Sequence, residues 1–340
     1  MKISVDAMGG DYAPAEVVQG AVKAARDYGL GIYLVGPQDK IKAEMAKYDT
    51  SGLDIEIVHT DEFLVEGEQP AYALRAKRQA SIAVATKLVR DGKAAAVFSA
   101  GPTGGVIASA LMILGMVEGM SKPVLGGPFV GFAPKTVIMD VGANIDVRPD
   151  QLLDFAIVGT VYARTLLDVA DPTVAILSVG SEEGKGNDLI KNAYPLFKKS
   201  GLNFIGNVEG YDLPTGKANV VVCDGFIGNV LVKFYECLGH VEAKWLENKL
   251  KGKLPEAEIK EICGSLLKMT NAADSAGGGP IWAVNGLAIK GHGRSRFEDI
   301  ARGINQAKLL AEKDIVKALK SELLAIRARL NVANNKTNSK

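Results

Sequence analysis

Glycine-rich loops that also carry acidic, amide or lysine side chains are the part of this sequence best suited to chemistry. Glycine accounts for 38 of the 340 residues, and the glycines cluster just after short apolar runs. Five such loops lie at 6–11, 99–105, 140–144, 180–188 and 224–229. Glycine removes the Cβ where a backbone must approach a ligand closely, and a free backbone N–H at the start of a helix favours an anion. The loops therefore predict a site for a small anionic ligand.

Lys185 and His292 are the side chains in glycine loops that could contact such a ligand directly. Lys185 lies between Gly184 and Gly186, and the alternative for it is a solvated loop lysine. His292 lies between two glycines near the end of the chain. For any single loop, the alternative is that glycine only allows a tight turn. The remaining predicted ligand-binding residues are Gly9, Gly10, Ser99, Gly101, Thr103, Gly104, Gly142, Asp224 and Gly225.

The motifs of several common enzyme classes are missing. Three residues separate Gly180 from Gly184 and Gly186 follows Lys185, so the loop is not a phosphate-binding P-loop. Neither G-x-G-x-x-G, G-x-S-x-G nor H-E-x-x-H occurs. Without a serine elbow or a Cys–His pair, the sequence argues against a covalent acyl-enzyme.

The elements that must position these loops alternate between strand and helix. Apolar runs at 2–5, 32–35, 54–58, 95–98, 136–139, 173–178, 204–205 and 219–223, with a weak one at 281–289, predict strands. Helical periodicity covers 14–28, 81–90, 103–116, 151–167, 188–198, 227–251, 255–269 and 297–327. Continuously apolar strands separated by helices predict a doubly wound, three-layer α/β/α fold with a mostly parallel sheet. The loops that follow such strands meet at one edge of the sheet, where open α/β proteins bind ligands.

Composition and charge exclude several other classes. The 40 basic and 39 acidic residues leave a net charge of +1, which predicts no nucleic-acid partner. Three cysteines without a C-x-x-C spacing predict neither a disulfide framework nor a zinc site. The polar start of the chain predicts no signal peptide, and we expect a cytoplasmic protein. We expect a single domain over 1–330, a helical arm at 227–271 and a disordered tail at 331–340.

Six motifs in order resemble one known family, the bacterial phosphate acyltransferases of phospholipid synthesis (acyl-acyl carrier protein:phosphate transacylases). The resemblance covers about residues 1–330 and implies transfer of a fatty acyl group from acyl carrier protein to inorganic phosphate. It also implies a homodimer whose fold is related to phosphotransacetylases and to isocitrate and isopropylmalate dehydrogenases, and it adds Asn207 to the substrate-binding residues. The motifs lie at 6–11, 99–101, 140–144, 182–187, 206–210 and 224–229.

Three departures from the usual family pattern stand out. Pro102 replaces an asparagine and removes an N–H and a side-chain amide from the loop at 99–105. Pro195 interrupts a helix that the family keeps continuous, which predicts a kink or an early stop. The stretch 276–281 is richer in glycine than usual.

The implied reaction needs little acid or base catalysis. A phosphate monoester has a second pKa near 6 and free phosphate is comparable, so a dianion is available at neutral pH, and a thiol with a pKa of about 8.5 leaves readily. What remains is to position the reactants and to stabilise the oxyanion, for which backbone N–H groups with Asn144, Asn229 and Lys185 are the candidates. We interpret Asp6, Asp140 and Asp224 as groups that orient loop N–H groups or lysines, with a Mg²⁺ site as the alternative; otherwise no cofactor is expected.

An acidic carrier protein needs a local basic surface. Lys249, Lys251 and Lys253 form the densest small basic cluster in the arm, although cations also favour a helix C-terminus for its dipole alone. Arg294 and Arg296 form a second cluster beside His292. The apolar repeat Ile259, Ile262, Leu266 and Met269 predicts a dimer core, and the lipid product suggests transient peripheral contact with a membrane.

Two other functions remain open at the level of the sequence. A nicotinamide-dependent dehydrogenase-like enzyme could use the same sheet edge, but the dinucleotide fingerprint is missing. A non-enzymatic regulator that binds an acyl ligand at a dimer interface would bind without phosphate-dependent turnover.

Overall fold

The structure is a computed structural model that describes residues 1–128, 130–271 and 276–337. The chain divides into two compact units. The first consists of Met1–Pro123 and Asp274–Lys317, and the second of Val124–Ala273 and Ala318–Lys340. The single domain predicted over 1–330 stays a prediction.

Strands and helices alternate along most of the chain. The strands are β1 (Lys2–Asp6), β2 (Gly31–Gly36), β3 (Ile55–His59), β4 (Ala96–Ser99), β5 (Val124–Gly127), β6 (Val137–Met139), β7 (Thr173–Leu177), β8 (Asn203–Val208), β9 (Val220–Val222), β10 (Gly279–Trp282) and β11 (Ala288–Lys290). The helices are α1 (Ala15–Tyr28), α2 (Gln38–Met45), α3 (Pro70–Ala76), α4 (Ser81–Arg90), α5 (Thr103–Ser109), α6 (Pro149–Leu166), α7 (Asp188–Ser200), α8 (Gly225–Leu250), α9 (Glu256–Thr270), α10 (Phe297–Glu312) and α11 (Ile315–Thr337). A π-helical turn, Ala110–Leu114, extends α5.

The strands of the first unit follow the order β3-β2-β1-β4-β11-β10. They pair in parallel except β10, which is antiparallel to β11. Ser4 donates a hydrogen bond to the carbonyl of Ala85 in α4, whereas Phe98 lies against Gly303 in α10. Ser4 pairs with Val97 and Val5 with Phe98, and successive side chains point to opposite faces. Helices α4 and α10 therefore cover opposite faces of the sheet.

The second unit has the strand order β5-β6-β9-β7-β8, with only β5 antiparallel to its described neighbour. Gly159 of α6 contacts Val220 and Met139 on one face. Ile138 and Val221 point to the other face, where they join a buried cluster against which α8 packs. Both units thus have the three-layer α/β/α arrangement with a mostly parallel sheet that the sequence predicts, so the fold class is confirmed.

Helix α1 shows why the periodic pattern predicts helices well. Its apolar residues repeat every three or four positions and are buried, as Val18, Ala21 and Ala25 are. The helix ends where Gly29 adopts a left-handed conformation with φ of 63°. The buried stripe faces α10. The other side of α1 is polar because it does not pack against the core.

Several elements differ from the sequence-based predictions. The helix predicted over 297–327 is two helices, because Asp314 breaks it with φ of 47°, a conformation that aspartate tolerates better than most residues. The weak strand at 281–289 is the antiparallel pair β10 and β11. Helix α7 continues past Pro195 to Ser200, so the early stop does not occur; buried Ile190, Ala193 and Phe197 hold both halves in place.

The C-terminal segment contains the disordered tail predicted for 331–340, which stays a prediction. Helix α11 extends to Thr337, so its backbone continues into the stretch predicted as a disordered tail. Extending an existing helix fixes one residue for each hydrogen bond gained, so even a polar segment can follow a well-packed helix. Positions 338–340 lie outside the described residues. Strand β5 and helices α2 and α3 were not predicted, because they are short and lack clear periodicity.

The pairing of Asp154 in α6 with Arg327 in α11 makes stability depend on pH. The side chain of Asp154 is nearly buried, and its Oδ1 lies 2.8 Å from Nη2 of Arg327. Burial raises the pKa of Asp154 to about 6, although Arg327 acts to lower it. A carboxyl whose pKa is raised on folding favours the folded state most at low pH, and this contribution is lost as pH rises from about 4 to above 6.

We therefore expect the stability of the wild type to fall relative to that of Asp154→Asn between pH 4 and 6.5, by up to about 3 kcal/mol. Urea unfolding of both proteins at several pH values measures this difference. The control is Asp150→Asn, since Asp150 is exposed and Arg148 lowers its pKa. If the stabilities of wild type and Asp154→Asn run parallel across this range, the buried carboxyl does not titrate as described.

Candidate functional site

Asp6 and Ser99 form the core of the loop cluster in the first unit. Both side chains are buried, and the Ser99 hydroxyl donates a 2.7 Å hydrogen bond to Oδ2 of Asp6. The Ser99 oxygen also accepts the backbone N–H of Gly101, and Asp6 accepts that of Met8. Burial raises the pKa of Asp6, opposed by the hydroxyls of Ser81 and Ser99. These two side chains therefore tie the loops after β1 and β4 together.

Gly9 allows those two loops to touch. A Cβ at this position would lie 2.6 Å from the Ser99 oxygen and 2.7 Å from the backbone nitrogen of Gly101. Gly10 lies next to it, against Ala100 and the carbonyl of Gly293. The structure brings Gly9, Gly10, Ser99 and Gly101 together, as the sequence predicts for loops at one sheet edge.

In the loop that continues to Thr103 and Gly104, the backbone of Gly104 packs against the start of α3. Both residues are exposed, but a Cβ on Gly104 would lie 2.6 Å from Pro70 at the start of α3. Pro102 has no N–H, and helix α5 has only seven residues before it turns π-helical. A ligand role for Thr103 and Gly104 stays a prediction.

His292 belongs to the same cluster through its neighbours. The N–H of Gly291 donates to the carbonyl of Ser99, and the N–H of Asp11 donates to that of Gly293. His292 is half-buried between these anchors. Arg296 is engaged locally: its guanidinium stacks 3.5 Å from the ring centroid of Tyr12 and pairs with Glu16. Its charge is thus partly neutralised.

In the second unit, Asp140 organises the loop after β6. This fully buried carboxylate accepts hydrogen bonds from the backbone N–H groups of Leu125, Gly142, Ala143 and Asn144. The side-chain amide of Asn144 also donates to it, at 2.7 Å. Burial raises the pKa of Asp140, and these hydrogen bonds oppose the rise. The loop N–H groups thus point at a carboxylate of the chain itself, which is the organising role predicted for Asp140.

The loop after β9 is held against this one. Asp224 accepts the N–H of Ile227 and caps α8, and the N–H of Gly225 donates to the carbonyl of Asn144. The side-chain amide of Asn229 donates to the carbonyl of Val141. Gly142, Asn144, Asp224, Gly225 and Asn229 therefore lie together. Hydrogen bonds within the loops engage the amides of Asn144 and Asn229, so their role as oxyanion donors stays a prediction.

Lys185 is exposed on the loop after β7 and forms no ion pair among the residues that the structure describes. Its neighbour Glu183 pairs instead with Lys198. Asn207, at the end of β8, donates its amide to the carbonyl of Glu182 and so supports the base of the loop. The predicted loop lysine is thus available to an anion.

Two residues near these loops were not predicted as site residues from the sequence. Ser178 follows β7, and its buried hydroxyl lacks a partner within the described part of the chain, as does Oδ1 of Asn207. Lys290 is the last residue of β11 and is partly buried. Both residues lie directly at a strand end, and this position could have identified them as candidate site residues. For Lys290 the strand end was not clear, because the strand prediction for 281–289 was weak.

The predicted residues divide between the two units. Gly9, Gly10, Ser99, Gly101, Thr103, Gly104 and His292 belong to the first unit, and Gly142, Asn144, Lys185, Asn207, Asp224, Gly225 and Asn229 to the second. That all of them line one cleft stays a prediction. Across 1–128, 130–271 and 276–337, no group of three or more His, Cys, Asp or Glu side chains could hold a metal ion. Among the described helices, none is both long and apolar enough to span a membrane.

Comparison with known proteins gives consistent matches over most of the chain. A family model described as fatty acid synthesis protein matches residues 1–318. A phosphate acyltransferase of Pelotomaculum thermopropionicum is 40% identical over 333 residues, 97% of each chain. One of Nitratidesulfovibrio vulgaris is 42% identical over 315 residues, which cover 92% of this chain and 91% of that protein.

A phosphotransacetylase from Streptococcus pyogenes has a similar fold, with a TM-score of 0.63 at 15% identity over 93% of this chain and 94% of its own. This likeness supports the fold relationship that the sequence motifs imply. The sequence identity to the curated relatives goes further, and with the family match it shows that the chain belongs to the fatty acid synthesis protein family, together with the phosphate acyltransferases.

Proposed function

We propose that this phosphate acyltransferase transfers a fatty acyl group from acyl-acyl carrier protein to inorganic phosphate and releases acyl phosphate for phospholipid synthesis. Acyl transfer to phosphate follows from membership of the family. The carrier-bound donor is the finer part of the proposal. The main observation that supports the proposed site is that Lys185 is an exposed cation in a glycine loop at the carboxyl end of β7.

The reaction proceeds in this proposal by direct attack. A phosphate oxygen forms a bond to the thioester carbonyl carbon, and the carbonyl oxygen becomes an oxyanion. The oxyanion then reforms the carbonyl as the C–S bond breaks, and the thiolate leaves and takes up a proton. Because phosphate dianion is present at neutral pH and the thiolate is a good leaving group, the protein mainly positions the reactants and stabilises the oxyanion.

Lys185 is the residue best placed to stabilise negative charge in the second unit. The backbone N–H groups of 142–144 already serve Asp140, whereas the Lys185 ammonium is free of carboxylates in the described chain. Asp140 and Asp224 accept hydrogen bonds from loop N–H groups. This favours their role as organisers over a Mg²⁺ site.

The decisive experiment mixes purified protein with acyl-carrier thioester and inorganic phosphate. Acyl phosphate, trapped with hydroxylamine, and free carrier thiol should appear in equal amounts and only with phosphate present. Acyl-coenzyme A serves as a second donor. Thiol release that does not depend on phosphate would contradict the proposal, and binding without turnover would favour the acyl-ligand regulator. Tryptophan quenching by a nicotinamide cofactor would favour the dehydrogenase-like alternative.

A second copy of the chain fits the exposed face of α8. Its large exposed apolar residues recur every three or four positions and form one stripe, namely Phe226, Val230, Phe234, Leu238, Val241 and Trp245. Helix α9 packs closely on α8, since a Cβ on Gly239 would overlap Thr270. Ile259 of the predicted dimer-core repeat is buried within the chain, while Ile262 and Met269 stay partly exposed. A homodimer through this arm is part of the proposal.

Carrier protein docks, in this proposal, on Lys249, Lys251 and Lys253. All three are exposed, and they form no ion pair within the described residues; Lys249 only stacks over Trp245. A cytoplasmic location with peripheral membrane contact completes the proposal, because the acyl phosphate product is a lipid precursor.

Replacing these three lysines with serine should raise the KM for acyl-carrier protein and flatten its salt dependence, while the KM for phosphate stays the same. The reason is that an acidic partner is attracted by this local charge, and salt screens the attraction. The matched control replaces the exposed Lys313, Lys317 and Lys320 with serine. Unchanged kinetics across a salt series would show that the carrier protein docks elsewhere, and Arg294 and Arg296 would be the next residues to replace.

A further inference from the structure

Lys290 lies at the ligand-binding edge of the first sheet, in a position that the fold alone determines. Strand β11 runs parallel to β4, and Lys290 pairs with Ser99, the last residue of β4. Its carboxyl end therefore points to the same edge as those of β1 and β4. Glycine-rich segments lie at the start of β10, at 277–279, and directly after β11, at 291–293, and Gly279 pairs with Lys290.

The side chain of Lys290 faces the same side of the sheet as Ser99 and Asp6. Paired residues of neighbouring parallel strands point to the same face, and the Ser99 hydroxyl contacts Asp6 on the next strand. Asp6, Ser99 and Lys290 therefore form a row across β1, β4 and β11, about 5 Å apart from strand to strand. Lys290, at the end of this row, carries a positive charge.

The surroundings of Lys290 leave its charge only partly compensated. Its ammonium donates to the carbonyl of Gly291, and within the described residues no carboxylate oxygen lies within 4.0 Å of it. Glu66 and Asp11 are the acidic groups that act on it from a distance, and both are exposed. Burial lowers the pKa of Lys290 to about 8, against the opposing effect of these two acids. A partly buried cation of this kind gains free energy when an anion binds it.

We infer that Lys290 binds the inorganic phosphate substrate, with the row of Asp6 and Ser99 fixing the loops around it. The inference rests on the proposed function, because it assigns a residue to the phosphate of that reaction. The ammonium donates to a phosphate oxygen and holds the dianion, while the attacking oxygen stays free to reach the thioester. Lys290 takes no proton in this step and forms no covalent bond.

The test compares wild type with Lys290→Met, which keeps the length of the side chain without its charge, and with Lys290→Arg, which keeps the charge. We expect Lys290→Met to raise the KM for phosphate about tenfold, with the KM for the acyl donor unchanged, and Lys290→Arg to restore most of the affinity. Calorimetric titration with inorganic phosphate alone should show the same loss of affinity without any turnover. Circular dichroism shows whether each variant is folded.

The pH dependence adds a second readout. Because the ammonium form binds phosphate, wild-type affinity should fall as pH rises above about 8 and the lysine loses its proton. Lys290→Arg stays charged and should keep its affinity over the same range. Unchanged phosphate affinity in folded Lys290→Met would overturn the inference, and so would a raised KM for the acyl donor alone. A wild type that binds phosphate through Lys290 but produces no acyl phosphate would overturn the proposed function and leave standing only the part of the inference that concerns phosphate binding.

Discussion

Lys185→Ala is expected to lower kcat at least tenfold while leaving the protein folded. A single oxyanion donor contributes about 2.7–4 kcal/mol to transition-state stabilisation, and a lysine that shares this role with backbone groups supplies part of it. Stability should change little, because the side chain is exposed and forms no ion pair among the described residues. Steady-state kinetics with acyl-carrier thioester and phosphate measure the loss.

Two variants sharpen this result. Lys185→Arg keeps the positive charge and should retain more activity than Lys185→Ala. Lys191→Ala removes another exposed lysine, in α7 and outside the proposed site, and should behave as the wild type. If Lys185→Ala turns over at the wild-type rate, Lys185 is the solvated loop lysine of the alternative interpretation.

Gly228→Ala is expected to destabilise the protein by about 3 kcal/mol, at the upper end of the range for overpacking a core. A Cβ at this position would lie 1.8 Å from the carbonyl oxygen of Asp140 and 3.0 Å from the Cα of Val141. Both are backbone atoms, so no side chain can turn away to make room. The start of α8 would have to move off the loop at 140–144 and break the hydrogen bond from Gly225 to Asn144.

Gly264→Ala is the matched control for this change. Gly264 is also a helical glycine, in α9, and a Cβ there meets no atom within 4 Å. Alanine favours a helix interior over glycine by about 1 kcal/mol, so Gly264→Ala should leave stability unchanged or raise it. Equal denaturation midpoints for the wild type and Gly228→Ala would mean that α8 and the loop at 140–144 are not in contact.

The loop contacts show the limits of what a sequence pattern predicts about a site. The positions of the glycine loops followed from where apolar runs end, and the family followed from the order of the motifs. The hydrogen-bond partners did not follow, because they join residues distant in the chain: Ser99 and Asp6 are 93 positions apart. Asp140 takes the N–H groups of its own loop, whereas Lys185 forms no ion pair among the described residues.

Periodicity and local motifs are enough to predict the fold class, the loops at the strand ends and the family. Tertiary structure alone decided that β11 lies beside β4, which places Lys290 next to Ser99. It also decided the break at Asp314 and the continuation of α7 through Pro195. The physical reason is the same in each case, because strand register and burial arise from packing against residues far away in the chain, which no local pattern encodes.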